Sequence, residues 1–171
     1  MFAPFNAGQD ATASLLTTGI DNAYQVEALT ADVPVSTTTF QTAAELTTTL
    51  LTNASYILQT QLIYDSNATA DISIKFTVPL GTILRLAAWG PGTAQSGTTA
   101  ISMPVNVTDS TTTTTISYGG GGAGTLLMAT PRGAIISVAG PGSLTIAIAQ
   151  ATTSGSTVLK VGSMIALSRI F

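Results

Sequence analysis

The sequence contains no cysteine and no histidine. Without cysteine there are no disulfides and no thiolate metal sites, and the redox compartment cannot be read. Without histidine the commonest general base and metal ligand is missing, which weighs against an enzyme. Charge is scarce too: Asp, Glu, Lys and Arg make up 8 % of the 171 residues. Five scattered cations form no patch for phosphates, so a nucleic-acid partner is not expected. No apolar run approaches the roughly 18 residues that a membrane helix requires, so a membrane is not expected either. The opening "MFAPFNAGQD" lacks the basic and apolar stretches of a secretory signal.

What is present points to β-structure. Hydrophobic residues make up 45 % of the chain, there are sixteen glycines, and threonine runs occupy 37–39, 47–49 and 111–115. β-Branched residues, glycine and few charges describe a sheet protein with uncharged exposed faces. The length suits one compact domain of about 100–200 residues with an appendage.

The few charges are unevenly placed. Residues 1–74 carry seven acids (Asp10, Asp21, Glu27, Asp32, Glu45, Asp65, Asp71) and no base. The remainder carries Lys75, Arg85, Arg132, Lys160 and Arg169 against Asp109 alone. Either the halves meet inside one fold or its oligomer, or an acidic leader docks on a basic surface of another protein.

Residues 1–35 read as an N-terminal arm. "DATASLLTTG" at 10–19 offers an Asp cap, an Ala/Leu stretch and a Gly stop, which predicts one short helix. Pro34 then forces Val33 into extended backbone. From about 36 to 171 the pattern becomes short strands between turn residues, expected at 37–41, 47–52, 55–64, 71–78, 82–89, 99–107, 112–118, 125–130, 133–139, 143–151, 156–161 and 163–171. In "ISIKFTV" the residues Ile72, Ile74, Phe76 and Val78 share a face; in "SLTIAIAQ" Leu144, Ile146 and Ile148 do. The opposite face of the latter is Thr and Ala, small enough for another protein to approach closely. So many short strands fold into two packed sheets, and a jelly-roll-like antiparallel β-sandwich is the expected all-β architecture.

Few motifs suggest chemistry. "YGGGGAGT" at 118–125 places Gly119, Gly121 and Gly124 in a G-x-G-x-x-G pattern, but Pro131 arrives too soon for a helix and no acid follows Asp109. It reads as a flexible hairpin or loop tip. Asp65, Asn67 and Asp71 are oxygen donors, yet their spacing matches no calcium loop and Asx residues serve turns equally well. The sequons at Asn53, Asn67 and Asn106 read as chance matches in a Thr-rich chain. Ser and Thr lack an activating partner, and neither Lys75 nor Lys160 has a Ser-x-x-Lys context. Trp89, the single tryptophan, reads as core or interface before it reads as a sugar platform. No catalytic residue, cofactor or metal is expected.

Three segments resemble a family of tailed-bacteriophage virion structural proteins. "FNAGQDATASLL" at 5–16 is similar to their N-terminal motif of an aromatic, one residue, Ala-Gly-Gln, two residues and Thr-Ala. The stretch 53–81 resembles the opening strands of their β-domain, through Tyr56, Tyr64, Ala70-Asp71 and Pro79. The stretch 142–170 resembles the closing strands, through Ala149-Gln150, Gly162-Ser163 and a terminal basic residue with Ile. Ile148 stands where relatives often carry Trp.

The resemblance implies a virion protein with a trimeric jelly-roll-like head, found on capsids or tails. A trimer would bury the apolar C-terminal strand at the threefold axis through Ile165, Leu167, Ile170 and Phe171, with about 800 Å² or more per contact. On a capsid decoration (cement) reading, Phe2, Phe5, Asp10, Leu15, Leu16 and Asp21 of the arm would anchor on the major capsid protein or other virion proteins. The alternative is a tail or neck fibre, or a receptor-binding knob, whose loops 90–98 and 119–124 touch a host glycan. Both readings place the chain in the virion after synthesis in the host cytoplasm.

Overall fold

The computed structural model describes residues 23–93, 107–110, 113–136 and 138–170. Those residues form thirteen strands and no helix: β1 (Tyr24–Ala28), β2 (Val33–Val35), β3 (Gln41–Leu50), β4 (Tyr56–Ser66), β5 (Ile72–Thr77), β6 (Ile83–Ala87), β7 (Val107–Ser110), β8 (Thr113–Tyr118), β9 (Leu126–Ala129), β10 (Arg132–Ile136), β11 (Gly142–Gln150), β12 (Thr157–Leu159) and β13 (Met164–Arg169). The helix expected at 10–19 and most of the strand expected at 99–107 lie outside the described residues. Of the leader expected over 1–35, the last part supplies β1 and β2 to the sheet.

Two antiparallel sheets pack into a jelly-roll-like sandwich. One runs β3-β11-β5-β8; the other runs β1-β13-β4-β10-β6-β7, with β9, β12 and β2 attached along the far half of β4. The chain crosses between layers repeatedly, since β3, β5, β8 and β11 belong to the small sheet and the strands between them to the large one.

Strict alternation builds the core. Along β4 the residues Tyr56, Leu58, Thr60, Leu62, Tyr64 and Ser66 point inward and are buried. They meet Ile72, Ile74 and Phe76 of β5 and Leu144, Ile146 and Ile148 of β11, all fully enclosed. Each such Leu, Ile or Phe contributes about 1.5–3 kcal/mol by leaving water.

The large sheet is organised around β4, which is long enough to take two successive partners on each side. Its first half lies between β13 and β10, and its second half between β12 and β9. The chain breaks on one side at Pro131, which has no N–H to give a ladder. Its carbonyl instead accepts the buried Thr60 hydroxyl at 2.7 Å. On the other side the break is the turn at 160–163.

One expectation is corrected here. In place of the strands expected at 37–41 and 47–52 there is one strand, β3, over Gln41–Leu50, with 37–40 a bend before it; the register of β3 on β11 jumps from Thr47 opposite Thr145 to Thr42 opposite Ala147. The extra β3 residues bulge out and re-aim the strand.

Candidate assembly surface

The outward face of the large sheet follows from the same alternation. Register places Tyr24, Ser168, Ile57, Ala134 and Arg85 in one row across five strands. The next row is Val26, Ala166, Gln59, Arg132 and Ala87. Ala28, Met164 and Gln61 follow, then Ile63 beside Met128. Tyr24, Val26 and Ile57 are 55 %, 44 % and 45 % exposed, and a shallow depression lined by Tyr24, Gln59, Gln61, Arg132, Met164 and Ala166 lies among them. None of the outward positions on β1, β13, β10, β6 or β4 from 57 to 63 is an acid. Among the described residues no further layer covers this face. Sequence reasoning passed over it, although "YILQTQLI" at 56–63 puts Ile on the outward register at both ends of a Gln pair.

The outer face of the small sheet is different. It carries Thr and Ser, with the Ser73 and Ser117 hydroxyls hydrogen-bonded at 2.8 Å and Lys75 lying 4.7 Å over the Phe40 ring. Ala147 and Ala149, expected as an open small face, are buried.

The residues expected at a trimer axis separate into two kinds. Ile165 and Leu167 are enclosed by this chain's own core, so a partner has nothing left to cover on them. Ile170 is 43 % exposed and its N–H donates to the Ser55 carbonyl, which ties the end of β13 down. Phe171 and the arm residues Phe2, Phe5, Asp10, Leu15, Leu16 and Asp21 lie outside the described residues.

The first half of the glycine-rich stretch is a packed joint, and only its end at Ala123 and Gly124 is the open tip expected. Gly119, Gly120 and Gly121 are buried, and a Cβ on Gly120 would fall 2.2 Å from the Asn67 carbonyl oxygen. Only glycine allows that approach. The Tyr64 hydroxyl donates to the Gly119 carbonyl at 2.8 Å, the Gly120 N–H donates to Asp71 Oδ1 at 2.9 Å, and the Gly122 N–H donates to the Ser66 carbonyl at 3.1 Å.

The three oxygen donors considered for calcium are each used in this joint. Asp65 accepts the Gly124 N–H on both oxygens at 3.0 Å. Asn67 Oδ1 accepts the N–H and the hydroxyl of Thr69, both at 3.0 Å, an Asx turn. Asp71 takes the Gly120 N–H, and burial pushes its carboxyl above the usual range in spite of that bond. Burial likewise raises the Tyr64 and Tyr118 phenols, keeping both neutral.

The residues that carried the resemblance serve as structural joints as well. Gln150 is buried; its amide donates to the Gly155 carbonyl at 3.1 Å and its Oε1 accepts the Ser154 N–H at 3.2 Å. Ser163 bonds both backbone groups of Ile63. Acid-rich and base-rich halves meet where Lys160 pairs with Asp32, whose other oxygen accepts the Val161 N–H at 2.8 Å. These bonds hold the Asp32 carboxyl below its ordinary range, and Thr30 does the same to Glu45 through its hydroxyl and N–H, each at 2.6 Å. Trp89, two residues beyond the end of β6, is half-open, at 49 % exposure.

No protein-family model matches the chain, and no curated protein does. Among solved structures, that of the infectious bursal disease virus Gt strain matches at 10 % identity over 86 % of this chain and 38 % of the other, with a TM-score of 0.21. A VP2 subviral particle of the same virus matches at 8 % identity over 85 % and 39 %, also with a TM-score of 0.21. The chain thus spans under two-fifths of the length of those chains. A superposition of that quality defines neither a common fold nor a common role.

Proposed function

We propose that this chain is a structural protein of a tailed-phage virion, and specifically a capsid decoration protein that associates as a trimer. Its N-terminal leader anchors it to capsid subunits and its β-domain caps the shell. The observation that carries this reading is the apolar outward face of the large sheet, left uncovered by the described residues. The resemblance at 5–16, 53–81 and 142–170 supports the phage setting. The polar groups that might have supplied chemistry, around Asp65, Asp71 and Gly119 to Gly124, are tied into turns and loop contacts. Such a protein acts through buried area and multivalency, which need no reacting group.

Negative-stain imaging of purified protein mixed with empty shells tests the proposal. Regular added density on the shell surface is the expected result; bare shells with free protein in the background would overturn it. The half-exposed Trp89 favours one other reading, a tail or neck knob that binds a host glycan, since an open indole can stack on a sugar ring. On that reading Trp89→Ala abolishes cell attachment and leaves shell binding irrelevant.

A further inference from the structure

The outward face of the large sheet is small for a docked domain and well sized for a strap. Strands of five or six residues, five abreast and about 4.8 Å apart, present roughly 400 Å², half of the ~800 Å² that each partner gives to a stable interface. A segment tethered to the same chain needs no such area, because its effective concentration is already on the order of millimolar. We infer that in the free protein this face is covered by the chain's own leader, residues 1–22, laid back over Tyr24, Val26, Ile57 and Arg132. Its role, to guard the face until capsid subunits take the leader, rests on the virion reading; the contact itself does not.

The leader joins the sheet beside the patch. It runs into Ala23, whose carbonyl accepts the Arg169 N–H, and the next residue, Tyr24, lines the shallow depression with Gln59, Gln61 and Arg132. Arg132 lies three strand spacings from β1, about 14 Å across the sheet. A chain of this length spans up to ~70 Å when extended, so the whole face is within reach.

Charge selects the leader over the other candidates. Arg132 is exposed, and no acid stands on the outward register of β1, β13, β10 or the first half of β4. The outward acids lie further off: Asp65 accepts the Gly124 N–H on both oxygens, and Asp109 stands opposite Arg85. Outside the described residues fall 1–22, 94–106, 111–112, 137 and 171, and among these only the leader carries charge, Asp10 and Asp21 with no Lys or Arg. Its Phe2, Phe5, Leu15 and Leu16 supply apolar side chains to match Tyr24, Val26 and Ile57.

Thiol labelling of the full chain reads the contact, since the protein has no cysteine of its own. Gln59→Cys puts one thiol in the depression, and Thr115→Cys puts one on the outer face of the small sheet, both at exposed positions. Each stands opposite one cation, Arg132 or Lys75, which keeps their intrinsic reactivities similar. At low salt the first should react with a maleimide at least tenfold more slowly than the second. That protection should fall severalfold as salt rises from about 50 to about 500 mM, because screening weakens the Asp–Arg attraction. Asp10→Asn with Asp21→Asn, or Arg132→Gln, should remove most of it with far-UV circular dichroism unchanged. It should stay constant over about a hundredfold range of protein concentration, as a contact within one chain requires. Equal labelling of the two thiols, or protection indifferent to salt and to the charge variants, would overturn the inference. Protection that grows with concentration would also overturn it and give the face to a second copy. Shell binding is scored separately: an open face on a chain that still binds shells removes the strap and leaves the virion role, whereas a protected face on a chain that ignores shells does the reverse.

Discussion

The Ser163 hydroxyl closes on the backbone of Ile63, accepting its N–H at 2.9 Å and donating to its carbonyl at 3.1 Å. At that point β4 changes partners. β13 has paired as far as Gln61 and β12 begins at Tyr64, so on that side Ile63 has no ladder neighbour, although Met128 of β9 pairs with it on the other. The side chain stands in for the missing strand, helped by the Lys160 N–H on the same carbonyl at 2.8 Å. Ser163→Ala leaves the Ile63 N–H without its partner, at a cost of about 1–3 kcal/mol. Thermal melting should fall by roughly 2–4 °C for each kcal/mol.

Gly120→Ala should be the most damaging of the loop substitutions. Its Cβ would meet backbone oxygens of Asn67 and Ser66 at 2.2 and 2.7 Å, and backbone cannot move aside as a side-chain tip can. Gly140→Ala meets nothing within 4 Å and serves as the control. Denaturant titration should give a loss above about 2 kcal/mol for the first and within about 0.5 kcal/mol of wild type for the second.

Stability should depend on pH in two opposite ways. Asp32 and Glu45 have folded pKa values below their ordinary 3.8 and 4.5, so their contribution is present above those values and is lost as pH falls through the lowered ones. Asp71 is shifted up, so its contribution is present below 3.8 and is lost as pH rises through its folded value. Melting curves between pH 2 and 7 should therefore show an acid limb flattened by Asp32→Asn with Glu45→Gln. Asp71→Asn, whose Oδ1 can still accept the Gly120 N–H, should melt at or above the wild type at pH 7.

How much could be read beforehand depended on the residue. Alternation in 72–78 and at Leu144, Ile146 and Ile148 predicted buried faces correctly, since large apolar side chains at a period of two have one place to go. Ala147 and Ala149 did not reveal their burial, because alanine is equally at home on either side. Gly120 was misread because a glycine kept for close approach looks the same as one kept for mobility. The strand at Tyr24–Ala28 was read as arm, since an edge strand exposed along most of its length carries no alternation. Ile165 and Leu167 show the remaining limit: periodicity marks a buried side chain but not whose atoms bury it.

The leader is the next part of the proposal to test. β1 starts at Tyr24, and the Ala23 carbonyl accepts the Arg169 N–H at 2.8 Å. Removing residues 1–22 therefore spares the sheet, and the truncated protein should melt within a few degrees of wild type yet fail to co-sediment with shells. Undiminished shell binding would remove the anchoring role from Phe2, Phe5, Asp10, Leu15, Leu16 and Asp21.

Copy number bears most directly on the claim that the chain is a building block of the particle surface. Quantitative mass spectrometry of purified virions should find it in hundreds of copies per particle, as a protein repeated over the head must be. A handful of copies would move it to the tail or neck, and its absence from washed particles would contradict the account.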